Sequence, residues 1–222
     1  MTQSPLTLIS PDLDPGAVVR EEAEPGAGIV LLLHGLGSHE GDLAGLIPLL
    51  PARFTYVSVR GIHRYGAGFA WLEHPLDPER PAALEASAQA VERWIAAQEA
   101  PVVGAIGFSQ GGMLALQLLR RSPRALDFVV NLSGAPFPAP MPGDAALAEA
   151  SPPVLWGHGG LDPLFDEDRE EQVRRYLREH TQLSEVLRPA LGHAVDEVEV
   201  EAIVRFLAEL PGTDAPAGGA PA

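Results

Sequence analysis

Residues 101–120 read PVVGAIGFSQGGMLALQLLR: an apolar run up to Phe108, then Ser109, then a second apolar run from Gln110 that contains no proline. The first run has the length and the small or β-branched make-up of a strand buried on both faces, and the second has the length of a helix. Between them Gly107-Phe108-Ser109-Gln110-Gly111 fits G-x-S-x-G, in which the serine occupies a turn so sharp that side chains two residues to either side would collide. The pattern alone is weak, since a chain this rich in glycine would show it by chance about one time in ten. Its position between a strand and a helix is the more informative half.

Outward from this stretch, strand and helix signals alternate, which predicts an α/β fold with a mostly parallel central sheet and helices on both faces. Upstream, residues 29–33 (IVLLL) and 54–59 read as buried strands. Between them Ser38 can cap a helix carrying Leu43, Leu46, Ile47 and Leu50 on one stripe. A helix opening at Pro81 places Leu84, Ala88, Val91 and Ile95 on one face and ends before Pro101. Downstream, strands are predicted over 125–132, 154–157 and 185–189, with helices over 167–180 and 195–210. At the start, residues 6–9 and 17–19 lie among prolines and read as the edge strands of a hairpin. Residues 135–153 form a proline-rich loop with room for one short helix at 144–150 and none for a lid domain. The chain therefore reads as one domain over 1–210, with a disordered Ala/Gly/Pro tail over 211–222.

Composition narrows the chemistry. Cysteine and lysine are both absent, so thiolate nucleophiles, disulfides and mechanisms that need a catalytic lysine are excluded. The 15 basic residues are all arginine and face 30 acidic ones, for a formal net charge of -15. That balance repels nucleic-acid phosphates and anionic bilayers, although an acidic surface also serves solubility alone. No apolar run is long enough to cross a membrane and no leader core precedes Arg20; the expectation is a cytoplasmic protein without stable membrane insertion.

A hydroxyl is a poor nucleophile at neutral pH, so Ser109 needs a base to take its proton and a third group to orient that base. For a nucleophile on a strand–turn–helix, the order along the chain is nucleophile, acid, histidine. Of the histidines after Ser109, only His193 follows a strand directly, in Leu191-Gly192-His193. His158 reads as a structural residue of its own turn, and His180 as a surface residue at a helix end. Asp162, in the glycine-loosened loop Gly159-Gly160-Leu161-Asp162, is the best-placed acid. Asp166 and Asp168 suit the first turn of the next helix, and Asp127 opens a strand. Backbone N–H groups of Gln110, at the start of its helix, and of Leu36, in His34-Gly35-Leu36-Gly37, are the candidate oxyanion donors. Gly35 and Gly37 have the alternative reading of merely turning the chain.

These residues resemble the carboxylesterase, phospholipase and acyl-protein thioesterase family of α/β-hydrolases, over roughly residues 28–207. The matching elements are His34-Gly35-Leu36-Gly37, Gly107-Phe108-Ser109-Gln110-Gly111-Gly112, Gly159 to Pro163, and Gly192-His193. The resemblance implies the α/β-hydrolase fold and hydrolysis of small-molecule carboxylic esters, or alternatively thioesters or lysophospholipids, through an acyl-enzyme. It implies no cofactor and no metal, and frequent homodimers. Ser38 departs from the acidic residue many relatives carry, and Leu164-Phe165 from their usual valines. Phe69, Trp71, Met113, Phe137 and Leu164 are assigned to the substrate pocket, with core packing equally open for Met113. A non-catalytic binding module of the same fold is the contrasting reading.

Overall fold

The computed structural model describes residues 6–210. The main sheet contains β2 (Val18–Glu21), β3 (Ile29–Leu33), β4 (Thr55–Val59), β7 (Val102–Phe108), β8 (Phe128–Leu132), β9 (Pro153–Gly159) and β10 (Gln182–Arg188). A separate three-stranded sheet contains β1 (Thr7–Leu8), β5 (His63–Tyr65) and β6 (Gly68–Ala70). Five α-helices follow the alternation: α1 (Ala82–Ala96), α2 (Gln110–Arg121), α3 (Asp144–Ala150), α4 (Glu167–His180) and α5 (Glu197–Glu209). Strand order across the main sheet is β10-β9-β8-β7-β3-β4-β2, parallel throughout except for the antiparallel edge strand β2.

All five side chains of β3 are buried, and their alternation sends them to different cores. Leu31 and Leu33 join α1, α2, α3 and α4 on one face. Val30 and Leu32 join α5 and a 3-10 helix at Leu43–Leu49 on the other. Each fully buried leucine contributes about 1.5–3 kcal/mol, so a continuous apolar strand between two helical layers is strongly specified. Helix starts are fixed locally as well. Asp166 caps α4 by accepting the Arg169 N–H at 2.8 Å, and Asp196 forms a capping box with Glu199 on α5.

Three expectations are corrected. Residues 6–9 and 17–19 do not pair with each other: β1 pairs with β5, and β2 pairs with the otherwise open edge of β4. Prolines at 11 and 15 leave no register for a hairpin between them. Ser38 does not cap a helix, because its backbone bridges Phe69 and its hydroxyl donates to Asp42 at 2.6 Å. The helix beyond is a 3-10 segment containing Pro48, which has no N–H to give, and Leu43, Ile47 and Leu50 still reach the core. The β5–β6 hairpin carries no sequence signal, since its strands are only three residues long and meet at Gly66, which has φ 58°. The predicted tail lies outside the described residues. No helix among the described residues is long and apolar enough to cross a membrane.

Candidate active site

β7 delivers the chain to Ser109, which holds φ 54° and ψ −114°, a left-handed conformation rare for a residue with a side chain. Such a conformation costs about 1–3 kcal/mol and is tolerated only where the surroundings enforce it. Here the Ser109 N–H is tied to the Leu132 carbonyl of β8 at 2.8 Å, and α2 begins at the next residue. A Cβ on Gly111 would run into the carbonyl oxygen of Leu33, so α2 can approach β3 only with glycine there.

The loops after β9 and β10 are stitched together: Leu161 N–H donates to the Leu191 carbonyl, and Gly160 N–H to the Arg188 carbonyl, each at 2.9 Å. A side chain on Gly159 would strike the carbonyls of Leu191 and Gly192, which explains glycine at that crossing. The stitching brings His193 Nδ1 to 2.6 Å from Asp162 Oδ2 and His193 Nε2 to 2.9 Å from Ser109 Oγ. The second oxygen of the buried Asp162 accepts the Leu164 N–H at 2.9 Å, fixing the carboxylate. The Phe108 ring packs on His193 with centroids 4.9 Å apart. An imidazole held between a buried carboxylate and a serine hydroxyl can accept the hydroxyl proton and return it to a leaving group.

A second network joins the two loops that carry Leu36 and Gln110. Trp71 Nε1–H donates to the His34 carbonyl at 2.8 Å. The Trp71 N–H donates to Gln110 Oε1, and Gln110 Nε2 donates to the Leu72 carbonyl, both at 3.1 Å. Burial holds His34 down to about 4, so it is neutral near pH 7, with Nε2 accepting the Gly61 N–H at 3.0 Å and Nδ1 beside the Gly35 carbonyl at 2.7 Å. Among the described residues the N–H groups of Leu36 and Gln110 have no hydrogen-bond acceptor, which leaves both free to meet a developing negative charge.

Ser109 opens into a cavity of about 190 Å³ whose wall includes Gln110, Met113, Ser133, Leu164, Phe165 and Arg169. Met113 and Leu164, two of the five pocket candidates, line this cavity. The other three pocket candidates lie elsewhere. Trp71 is fully buried in the network above, and Phe69 packs beneath Arg60 and Arg64 on the small sheet. Phe137 faces a neighbouring cleft beside α4. Of the loop after β8, only Ser133, Gly134 and Ala135 reach the Ser109 cavity, and the prolines beyond lean toward α4. No local pattern points to Ser133, which sits at φ 50° with its buried hydroxyl unpartnered among the described residues, or to Arg169, which reads as an ordinary residue of a polar helix.

The other two histidines that follow Ser109 in the chain are away from this constellation. His158 stacks on Trp156 at 3.7 Å and meets Glu185 at 3.1 Å, and His180, half-buried instead of free on the surface, stacks on Tyr176 at 4.1 Å. His158, Glu170 and Glu185 form the one cluster with metal-ligand spacing among the described residues, but Arg174 bridges both carboxylates.

A model of the phospholipase/carboxylesterase family matches residues 14–210. The chain belongs to that family. Membership makes it a hydrolase of esters. Solved structures agree on the fold. A Bacillus cereus carboxylesterase superposes with a TM-score of 0.74 at 21% identity, covering 86% of this chain and 92% of that one. Esterase PE8 superposes at 0.71 and 25%, covering 89% and 99%. Zea mays acyl-protein thioesterase 2 superposes at 0.68 and 20%, covering 86% and 97%. In phospholipase/carboxylesterase terms, the family match spans every strand of the main sheet and both loops that meet at Ser109.

Proposed function

We propose that the chain is a serine carboxylesterase acting on esters of small to medium acyl groups, with Ser109 as nucleophile, His193 as general base and Asp162 as the orienting carboxylate. The observation that carries this reading is the unbroken series from Asp162 through His193 to Ser109, at 2.6 Å and 2.9 Å. As Ser109 Oγ attacks the ester carbonyl, its proton passes to His193 Nε2 while Asp162 stabilises the imidazolium through Nδ1–H. The carbonyl oxygen becomes an oxyanion and is met by the N–H groups of Leu36 and Gln110, a pair worth a few kcal/mol of transition-state stabilisation. His193 then protonates the departing alcohol, and water activated by the same imidazole releases the acyl group from Ser109.

The modest cavity at Ser109, about 190 Å³ and lined by Met113 and Leu164, suits short chains over long lipids. Thioester cleavage is the second reading, since the same groups serve a thiolate leaving group and the maize neighbour is an acyl-protein thioesterase. A panel of p-nitrophenyl esters of increasing chain length, run beside matched acyl-thioesters, tests the order. Ester turnover peaking at short to medium chains is expected; faster turnover of thioesters than of matched esters reverses the assignment.

A further inference from the structure

Ten of the 15 arginines form ion pairs among the described residues, as a strongly acidic chain would lead one to expect. The five that do not are Arg53, Arg64, Arg124, Arg169 and Arg175. Two of these five face one place. Arg169 lines the Ser109 cavity and also a cleft of about 330 Å³ between the proline-rich loop and α4, and Arg175 lines that cleft as well. Arg169 and Ala135 form the shared wall, so the cleft adjoins the cavity at Arg169.

The acidic groups nearby do not neutralise this site. Asp144 is taken up by Arg120, which is buried and also donates to the carbonyls of Phe137 and Ala139. Asp166 turns its carboxylate to the backbone N–H of Arg169 at 2.8 Å. Glu73, in the cavity, and Glu179, in the cleft, form no ion pair with either arginine. The Arg169 guanidinium lies 5.6 Å from the centroid of Phe165, an aromatic residue of the cavity wall, which limits its positions without satisfying its donors. An arginine fork with free donors, beside apolar surface, is suited to bind the paired oxygens of a carboxylate or phosphate. With a net charge of -15 the protein as a whole repels anions, so Arg169 on the wall of the Ser109 cavity, with Arg175 in the adjoining cleft and neither ion-paired among the described residues, acts as a selective entry point.

We infer that the ester opened at Ser109 carries an anionic oxygen group, a carboxylate or a phosphate, which Arg169 binds at the junction of cavity and cleft with Arg175 behind it. This rests on the hydrolase reading above and adds the substrate class.

Matched substrate pairs test it. The p-nitrophenyl hemiester of glutaric acid against p-nitrophenyl butyrate places the charge on the acyl side. On the alcohol side, p-acetoxybenzoate is set against p-acetoxybenzamide, and p-acetoxyphenyl phosphate distinguishes phosphate from carboxylate. The expected result is that kcat/KM favours an anionic member by about ten- to a hundredfold, chiefly through KM. Arg169→Gln should collapse that ratio, Arg169→Lys should restore part of it, and Arg175→Gln should reduce it less. High salt should weaken the preference in the unaltered enzyme, a readout that needs no variant. Neutral esters turned over as well as anionic ones, or a preference that survives Arg169→Gln, would overturn the inference. If no ester in any pair is cleaved and a fluorophosphonate leaves Ser109 unlabelled, the hydrolase reading itself has failed instead.

Discussion

The side-chain oxygen of Gln110 accepts the backbone N–H of Trp71 at 3.1 Å, and with the Gln110 Nε2–H donated to the Leu72 carbonyl this contact couples the start of α2 to the segment that also holds the His34 loop. In the proposed mechanism Gln110 therefore plays two parts: its backbone N–H meets the oxyanion, and its side chain fixes where that N–H points. Gln110→Ala keeps the N–H and removes the anchor. We expect kcat to fall by about a hundredfold with little change in KM, because misplacing a donor by an ångström harms the transition state more than the ground state. Steady-state kinetics on a short-chain ester checks this; an equal loss through KM alone would assign Gln110 to ground-state binding.

Asp162→Asn keeps the shape of the acid but can present an amide N–H to His193 Nδ1 in place of a carboxylate. The imidazole is then held in the wrong tautomer, and kcat should fall by about 10³- to 10⁴-fold. Far-ultraviolet circular dichroism and the melting temperature should establish that the fold survives.

Two buried groups make opposite demands on pH. Burial holds His34 down to about 4 from an ordinary 6.5, so the unfolded chain binds the extra proton and stability is lost as pH falls from 6.5 through about 4. His63 is shifted the same way by burial. Burial raises Glu199 to about 7 from 4.5, so the folded chain holds the extra proton, and that contribution is lost as pH rises from 4.5 through about 7. The two trends oppose each other across the interval from 4.5 to 6.5. Glu199→Gln removes one of them, so stability should climb more steeply with pH than in the unaltered chain, by up to about 1.4 kcal/mol per pH unit for each proton released. Urea denaturation at a series of pH values reads the slope; parallel curves would remove Glu199 from this role.

Arg120 is buried on α2 and holds the loop after β8 through Asp144 and the carbonyls of Phe137 and Ala139. Burial alone would raise the Asp144 carboxyl, but hydrogen bonds from Arg120, the Met141 N–H and Tyr176 hold it down to about 2. Arg120→Ala strands these acceptors and should destabilise the protein by about 3 kcal/mol, measured by denaturant unfolding.

Much of this arrangement is legible in the residues themselves. The apolar strands and the G-x-S-x-G turn announce the sheet, because a strand buried on both faces has no polar positions to confuse its period. Helices α3 and α4 begin and end where the sequence predicts, since a proline-bounded turn and an acidic cap mark them. The small sheet was hidden because its strands are too short to carry a period and pair across distant parts of the chain. The pocket was the least legible part. Trp71 and Phe69 are aromatic and belong to a segment that borders the same edge of the sheet, yet Trp71 is consumed by anchoring the loops and Phe69 by stacking under arginines. Arg169 and Ser133 reach the cavity only through the tertiary approach of α4 and the end of β8, which no local pattern encodes.

The proposed chemistry depends above all on His193 making the hydroxyl of Ser109 nucleophilic. Incubating the folded protein with a fluorophosphonate and mapping the adduct by peptide mass spectrometry tests it most directly. One adduct is expected, on Ser109, abolished in Ser109→Ala and strongly slowed in His193→Ala, with both variants still folded. No adduct on well-folded protein, or labelling at another serine that persists in both variants, would contradict it.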